Sequence, residues 1–125
     1  MPHILLVMLG GALGSAARFL TGKLMLGWLG PNYPWGTLTV NLAGGMLMGV
    51  LAGSLARFGQ GGESWRLLLG VGVLGGFTTF SAFSLDAMVM IERGDWMTAL
   101  GYALVSVIGS LIALALGLAA VRAVA

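Results

Sequence analysis

Four stretches of this 125-residue chain carry no Asp, Glu, Lys or Arg: Met1–Ala17, Leu24–Ala56, Leu67–Leu85 and Trp96–Val121. Runs this long leave few folds open, because a helix crossing a bilayer needs about 20 mostly apolar residues. Composition closes the soluble alternative. Hydrophobic residues make up 58% of the chain and charged ones 8%, with 22 glycines besides. A small soluble domain keeps much of its surface in water, and six basic and four acidic side chains cannot cover it. A disordered chain and a free-standing nucleic-acid binder are excluded on the same ground, and a net charge of +2 does not point to a polyanion partner. There is no cysteine, so there are no disulfides or thiolate metal sites, and His3 is the one histidine.

The charge-free runs predict an all-α membrane protein, one integral domain over 1–125, with spans near 2–26, 36–57, 65–92 and 96–121. No basic leader precedes the first run, and Arg18 and Lys23 fall where a signal peptide would be cleaved, so it reads as a span. Gly30–Trp35, Gly59–Ser64 and Arg93–Asp95 read as short turns. Trp28, Tyr33, Trp35, Trp65 and Trp96 sit at span ends, as an interfacial aromatic belt does. Glycines recur at packing intervals: Gly10 and Gly14, Gly45, Gly49 and Gly53, Gly72 and Gly76, and Gly101, Gly109 and Gly117. Such faces let helix backbones approach closely in lipid.

Four spans put Arg57, Arg66 and Arg122 on one side and Lys23, Arg93 and Arg18 on the other. Three against three gives no positive-inside preference. The balance is either chance in a chain with few charges or a sign of insertion both ways. In the second case two opposed copies can pair about an axis in the membrane plane, as inverted repeats do.

Polar residues inside the spans need partners. Thr37 and Asn41 are four apart and share a face of span two. Asn41 reads either as interhelical glue or as an amide lining a path. Span three contains Gly75-Gly76-Phe77-Thr78-Thr79-Phe80-Ser81-Ala82-Phe83-Ser84, where glycines and β-branched threonines both weaken a helix. A mid-membrane break there would free carbonyls able to hold a cation. Phe80 and Phe83, three apart, either pack or turn their positive ring edges toward an anion. Tyr102, Ser106 and Ser110 form a hydroxyl stripe at intervals of four. Arg18 and Asp86 either snorkel or line a water-filled mouth.

Three of these stretches together resemble the CrcB/Fluc family of fluoride channels. Gly10-Gly11-Ala12-Leu13-Gly14-Ser15-Ala16-Ala17-Arg18 is similar to a GGxxGAxxR pattern, with Ser15 where alanine is usual. Gly36-Thr37-Leu38-Thr39-Val40-Asn41-Leu42-Ala43-Gly44 is similar to GTLxVNxxG, and the span-three run to GGxTTFSTFS, with Ala82 in place of threonine. The resemblance implies an antiparallel, dual-topology homodimer with two pores, multi-pass in the inner membrane, passively exporting cytoplasmic fluoride and so limiting its toxicity. It implies that Asn41, Phe80 and Phe83 contact fluoride, and that Ser81, Thr37, Thr39, Tyr102, Ser106 and Ser110 lie near or along a polar track. It further implies a structural sodium ion at the dimer interface, held by carbonyls of Gly75 and Thr78, and Arg18 in an aqueous vestibule.

Two other functions compete. A small dual-topology multidrug transporter also has four short spans, but needs a membrane-embedded carboxylate, for which Asp86 is the one candidate. A packing subunit would transport nothing. No nucleotide-binding Gly-x4-Gly-Lys-Ser/Thr motif or catalytic pair is present, so no enzyme is expected.

Overall fold

The computed structural model describes residues 2–58 and 62–124. All the regular structure among them is helical, and four helical stretches are long and apolar enough to cross a membrane: His3–Leu29, Trp35–Arg57, Gly62–Glu92 and Trp96–Ala123. Helix α1 (His3–Leu29) runs three residues past the expected end. It stops where Gly30 turns to φ 80° and its N–H caps Leu26 O at 3.0 Å, a conformation glycine adopts without strain. Helix α2 (Trp35–Phe58) follows. Part of the expected turn at Gly59–Ser64 lies outside the described residues, and Gly62–Ser64 is already helical.

The third span is built from four pieces. Helix α3 (Gly62–Trp65) leads into a π-helical stretch, Arg66–Leu74, and then α4 (Gly75–Phe77). After an extended Thr78–Thr79 the chain resumes as α5 (Phe80–Glu92), turns at Gly94 and ends in α6 (Trp96–Ala123). The break expected from the Gly-Gly-Phe-Thr-Thr run is therefore present, but it falls on the threonines. Gly75 and Gly76 remain helical. The π-helical widening carries no signal in the apolar pattern, which reads the same for either kind of turn.

Gly76 is small for another reason: a Cβ there would come within 2.7 Å of Gly11 O on α1. Gly72 meets the Cα of Gly10 in the same way, at 2.9 Å. Two glycine faces thus press the backbones of α1 and the third span together. Gly45, Gly49 and Gly117 do the same between α2 and α6. Gly101 is the exception in the expected ladder, with open space where a side chain would be. The buried cluster Leu38, Met90, Ala99 and Tyr102 lies under the α5–α6 turn, with Tyr33 and Phe83 packed on it. The belt tryptophans Trp28, Trp65 and Trp96 are all exposed.

Candidate ion pathway at the break in the third span

Two extended residues in a membrane helix leave backbone groups that must be satisfied nearby. Asn41 on α2 takes both groups of Thr79: its Oδ1 accepts the Thr79 N–H at 2.8 Å, and its Nδ2 donates to Thr79 O at 3.0 Å. This two-point pairing is the interhelical glue that one reading of Asn41 required. The amide has a second N–H still to give. Thr78 folds back on Leu74 O with its N–H at 3.0 Å and its hydroxyl at 2.9 Å. Arg18 Nε donates to Gly76 O at 3.0 Å. Thr79 Oγ1 accepts the Ala82 N–H at 3.1 Å and so caps α5, as threonine often does. Because the Thr79 amide goes to Asn41, the Gly75 carbonyl loses the donor a continuous helix would bring it.

Beside the break lies a cavity of about 450 Å³ lined by Asn41, Thr78, Phe80, Phe83, Ser106 and Ser110 among others, with no charged side chain on its walls. Phe80 and Phe83 project into it together, ring centroids 5.6 Å apart, as their spacing predicts. Phe83 is also held from behind by Tyr102, at 5.1 Å. Phe80 is 78% exposed, so one chain encloses the cavity on one side only. Ser106 is 7% exposed, and its hydroxyl finds no hydrogen-bond partner among the described residues. An unmet buried hydroxyl costs about 1–3 kcal/mol, so this wall is set up to meet something polar.

A second cavity, about 270 Å³, is lined by Arg18, Lys23, Thr37, Thr79 and Ala82. It shares Thr79 with the first, and carries the basic charge the first lacks. Ser81 is exposed beside them, its hydroxyl 3.2 Å from Thr79 Oγ1. Thr39 lines neither cavity: two residues from Thr37, it is turned about 200° around the helix. Ala82 lines the second cavity by a methyl, where threonine would add a hydroxyl.

Tyr102 does not line the larger cavity with Ser106 and Ser110. It is buried behind Phe83, and its hydroxyl donates to Asp86 Oδ2 at 3.1 Å. This pairing is absent from the sequence reading, although a signal for it existed. Asp86 and Tyr102 are equally far in sequence from Gly94, so a tight α5–α6 hairpin brings them face to face. Asp86 then opens on a third cavity of about 220 Å³ with Tyr33 and Arg93. Burial pushes the Tyr33 phenol above its ordinary range, so it stays a neutral donor there.

Residues 5–118 match the family described as CrcB-like protein, Camphor Resistance (CrcB). A protein of Phenylobacterium zucineum named fluoride-specific ion channel FluC is 55% identical over 125 residues, covering 99% of this chain and 98% of its own. Proteins of the same name from Sphingopyxis alaskensis and Novosphingobium aromaticivorans are 51% and 54% identical, covering 93% and 95% of this chain and 92% and 95% of theirs. With the family match over residues 5–118, relatives 51–55% identical over nearly the whole chain and four membrane-capable helices, this chain belongs to the CrcB-like family.

Proposed function

We propose that the chain is a fluoride-selective channel that releases cytoplasmic fluoride passively through the inner membrane, as an antiparallel pair of copies with two pores. One observation carries this reading. The uncharged cavity at the break combines a buried, unpartnered Ser106 hydroxyl, a spare Asn41 N–H and two ring edges. Fluoride is small and tightly hydrated, so its water must be replaced by donors that are fixed in place. A path without full positive charge avoids trapping it. The name that these relatives carry supplies the identity of the ion. Fluoride enters cells as the neutral weak acid and ionises there, so a passive exit lowers its accumulation and toxicity.

In this reading Asn41, Phe80, Phe83, Ser106 and Ser110 contact the ion or its path, with Ser81, Thr37, Thr39 and Tyr102 near it and Arg18 in the vestibule. Purified protein in fluoride-loaded liposomes should release fluoride down its gradient without nucleotide or proton gradient. Release no faster than from protein-free liposomes would overturn the proposal, as would proton-coupled cation transport. The latter would have to use Asp86, whose Oδ2 accepts from the Tyr102 hydroxyl at 3.1 Å.

The second copy completes the open side at Phe80. Arg18 is bonded to α4 within the bundle, and setting it aside leaves Arg57, Arg66 and Arg122 against Lys23 and Arg93, which is still no decisive bias. Reporters fused at the C-terminus should therefore register both orientations. Adding two or three basic residues to one side should force one orientation and reduce flux until an oppositely biased copy is supplied. A single native orientation would sink the antiparallel pair.

The break also suits a structural sodium ion. Sodium prefers oxygen donors, and the Gly75 and Thr78 carbonyls, which the family resemblance assigns to it, are among those that the helix and the side-chain caps leave free, with Phe77 O the third. One chain offers two such oxygens from Gly75 and Thr78, and an opposed copy doubles them. Thermal stability of the detergent-purified protein should rise with sodium more than with an equal concentration of a bulky cation. Fluoride efflux should need no sodium gradient, and strict dependence on one would contradict a structural role.

A further inference from the structure

We infer that Arg18 is a positioning residue for the pore: its Nε stands in for the backbone amide that the break removes from the Gly76 carbonyl. The inference rests on the channel reading above and adds to vestibule lining a role that does not depend on charge. In a continuous helix the Gly76 carbonyl would accept the amide of Phe80, four residues on. The extended Thr78 and Thr79 carry that amide away, and Arg18 Nε stands 3.0 Å from Gly76 O in its place. Leu74 O has Thr78 N–H and Oγ1 and Thr79 O has Asn41 Nδ2, so the side chains leave the Gly75, Phe77 and Thr78 carbonyls without a donor among the described residues.

The local sequence explains how the side chain arrives there. Gly14 and Arg18 are four apart and share a face of α1. A Cβ at Gly76 would stand 2.7 Å from Gly11 O and a Cβ at Gly14 2.9 Å from Phe77 N, so the α1 backbone lies directly on α4. Helical side chains lean toward their own N-terminus, which brings the Arg18 stem back over Gly76. The guanidinium spends one N–H on the cap, and its outer face remains part of the cavity it shares with Lys23 and Thr37. Through this bond α1 fixes the end of α4. The Asn41–Thr79 pairing fixes the second of the two extended residues, and Phe80 and Phe83 follow directly on α5.

Three substitutions separate the cap from the charge. Gln Nε2 is as many bonds from Cα as Arg Nε, so Arg18→Gln keeps a donor at that atom and drops the charge. Arg18→Lys keeps the charge and moves the donor one bond further out. Arg18→Met removes both. Fluoride efflux from liposomes should retain at least about a third of its rate in Arg18→Gln, fall more in Arg18→Lys, and fall more than tenfold in Arg18→Met. Amide exchange over residues 78–82 should follow the same order, slowest in the wild type and Arg18→Gln. The reverse order, with Lys above Gln, would show that charge alone matters and overturn the cap, as would equal exchange in all variants. If Arg18→Met yields no folded protein, the order of Gln and Lys decides. If the wild type moves no fluoride, the channel reading fails, and the exchange order alone still decides the cap.

Discussion

Phe80→Ile is expected to fold, to elute like the wild type and to pass fluoride at least tenfold more slowly. Phe80 is 78% exposed in a single chain, so its ring supports little of that chain's core. Volume-conserving apolar exchanges usually cost less than about 1.5 kcal/mol even in cores. What the exchange removes is the positive ring edge beside Phe83 and the Asn41 amide, inside an uncharged cavity. Phe83→Met should lose flux to a similar degree but cost more stability, since Phe83 also packs on Tyr102 at 5.1 Å. Asn41→Asp should be the most severe. It places a carboxylate in an anion path and sets a second acceptor against Thr79 O, where Nδ2 now donates at 3.0 Å. Efflux and elution of all three variants are the measurement. Normal efflux in each would falsify the pore assignment and return these residues to packing.

Gly14→Val should abolish recovery of folded protein, while Gly11→Ala, three residues away in the same helix, should leave it intact. A Cβ at Gly14 would run into the Val73 carbonyl and stand 2.9 Å from Phe77 N. Both are backbone, so nothing short of moving the third span relieves the overlap, and the break would move with it. A Cβ at Gly11 meets nothing within 4 Å, and alanine in a helix interior is favoured over glycine by about 1 kcal/mol. Monodisperse elution after graded heating checks both. Comparable loss in the two variants would mean that α1 does not lie on the third span by this face.

The four spans were legible because a membrane span is a property of a contiguous run: length, apolarity and absence of charge decide it without reference to any other residue. The break was legible for the same local reason, since threonine pairs after glycines weaken a helix wherever they stand. So was the joint placement of Phe80 and Phe83, which helical spacing alone sets. The motif resemblance reached further and put Asn41, Ser106 and Ser110 with those rings, and the structure gathers them on one cavity.

What local pattern does not hold is the choice of partner. Asn41 had to bond something, but only the packing of α2 against the break makes that something both groups of Thr79. Arg18 read as a snorkelling or mouth-lining cation until the glycine contact of α1 with α4 brought it to Gly76 O. Tyr102 shared a spacing with Ser106 and Ser110, yet the α5–α6 hairpin turns it to Asp86 and leaves the buried Ser106 hydroxyl without a partner among the described residues. The sequence by itself determined which segments enter the membrane and where the third one fails as a helix, because those depend on each segment's own free energy in lipid. The tertiary structure decided which polar groups are consumed in holding the break and which remain to meet an ion, because a hydrogen bond depends on where a second helix lies.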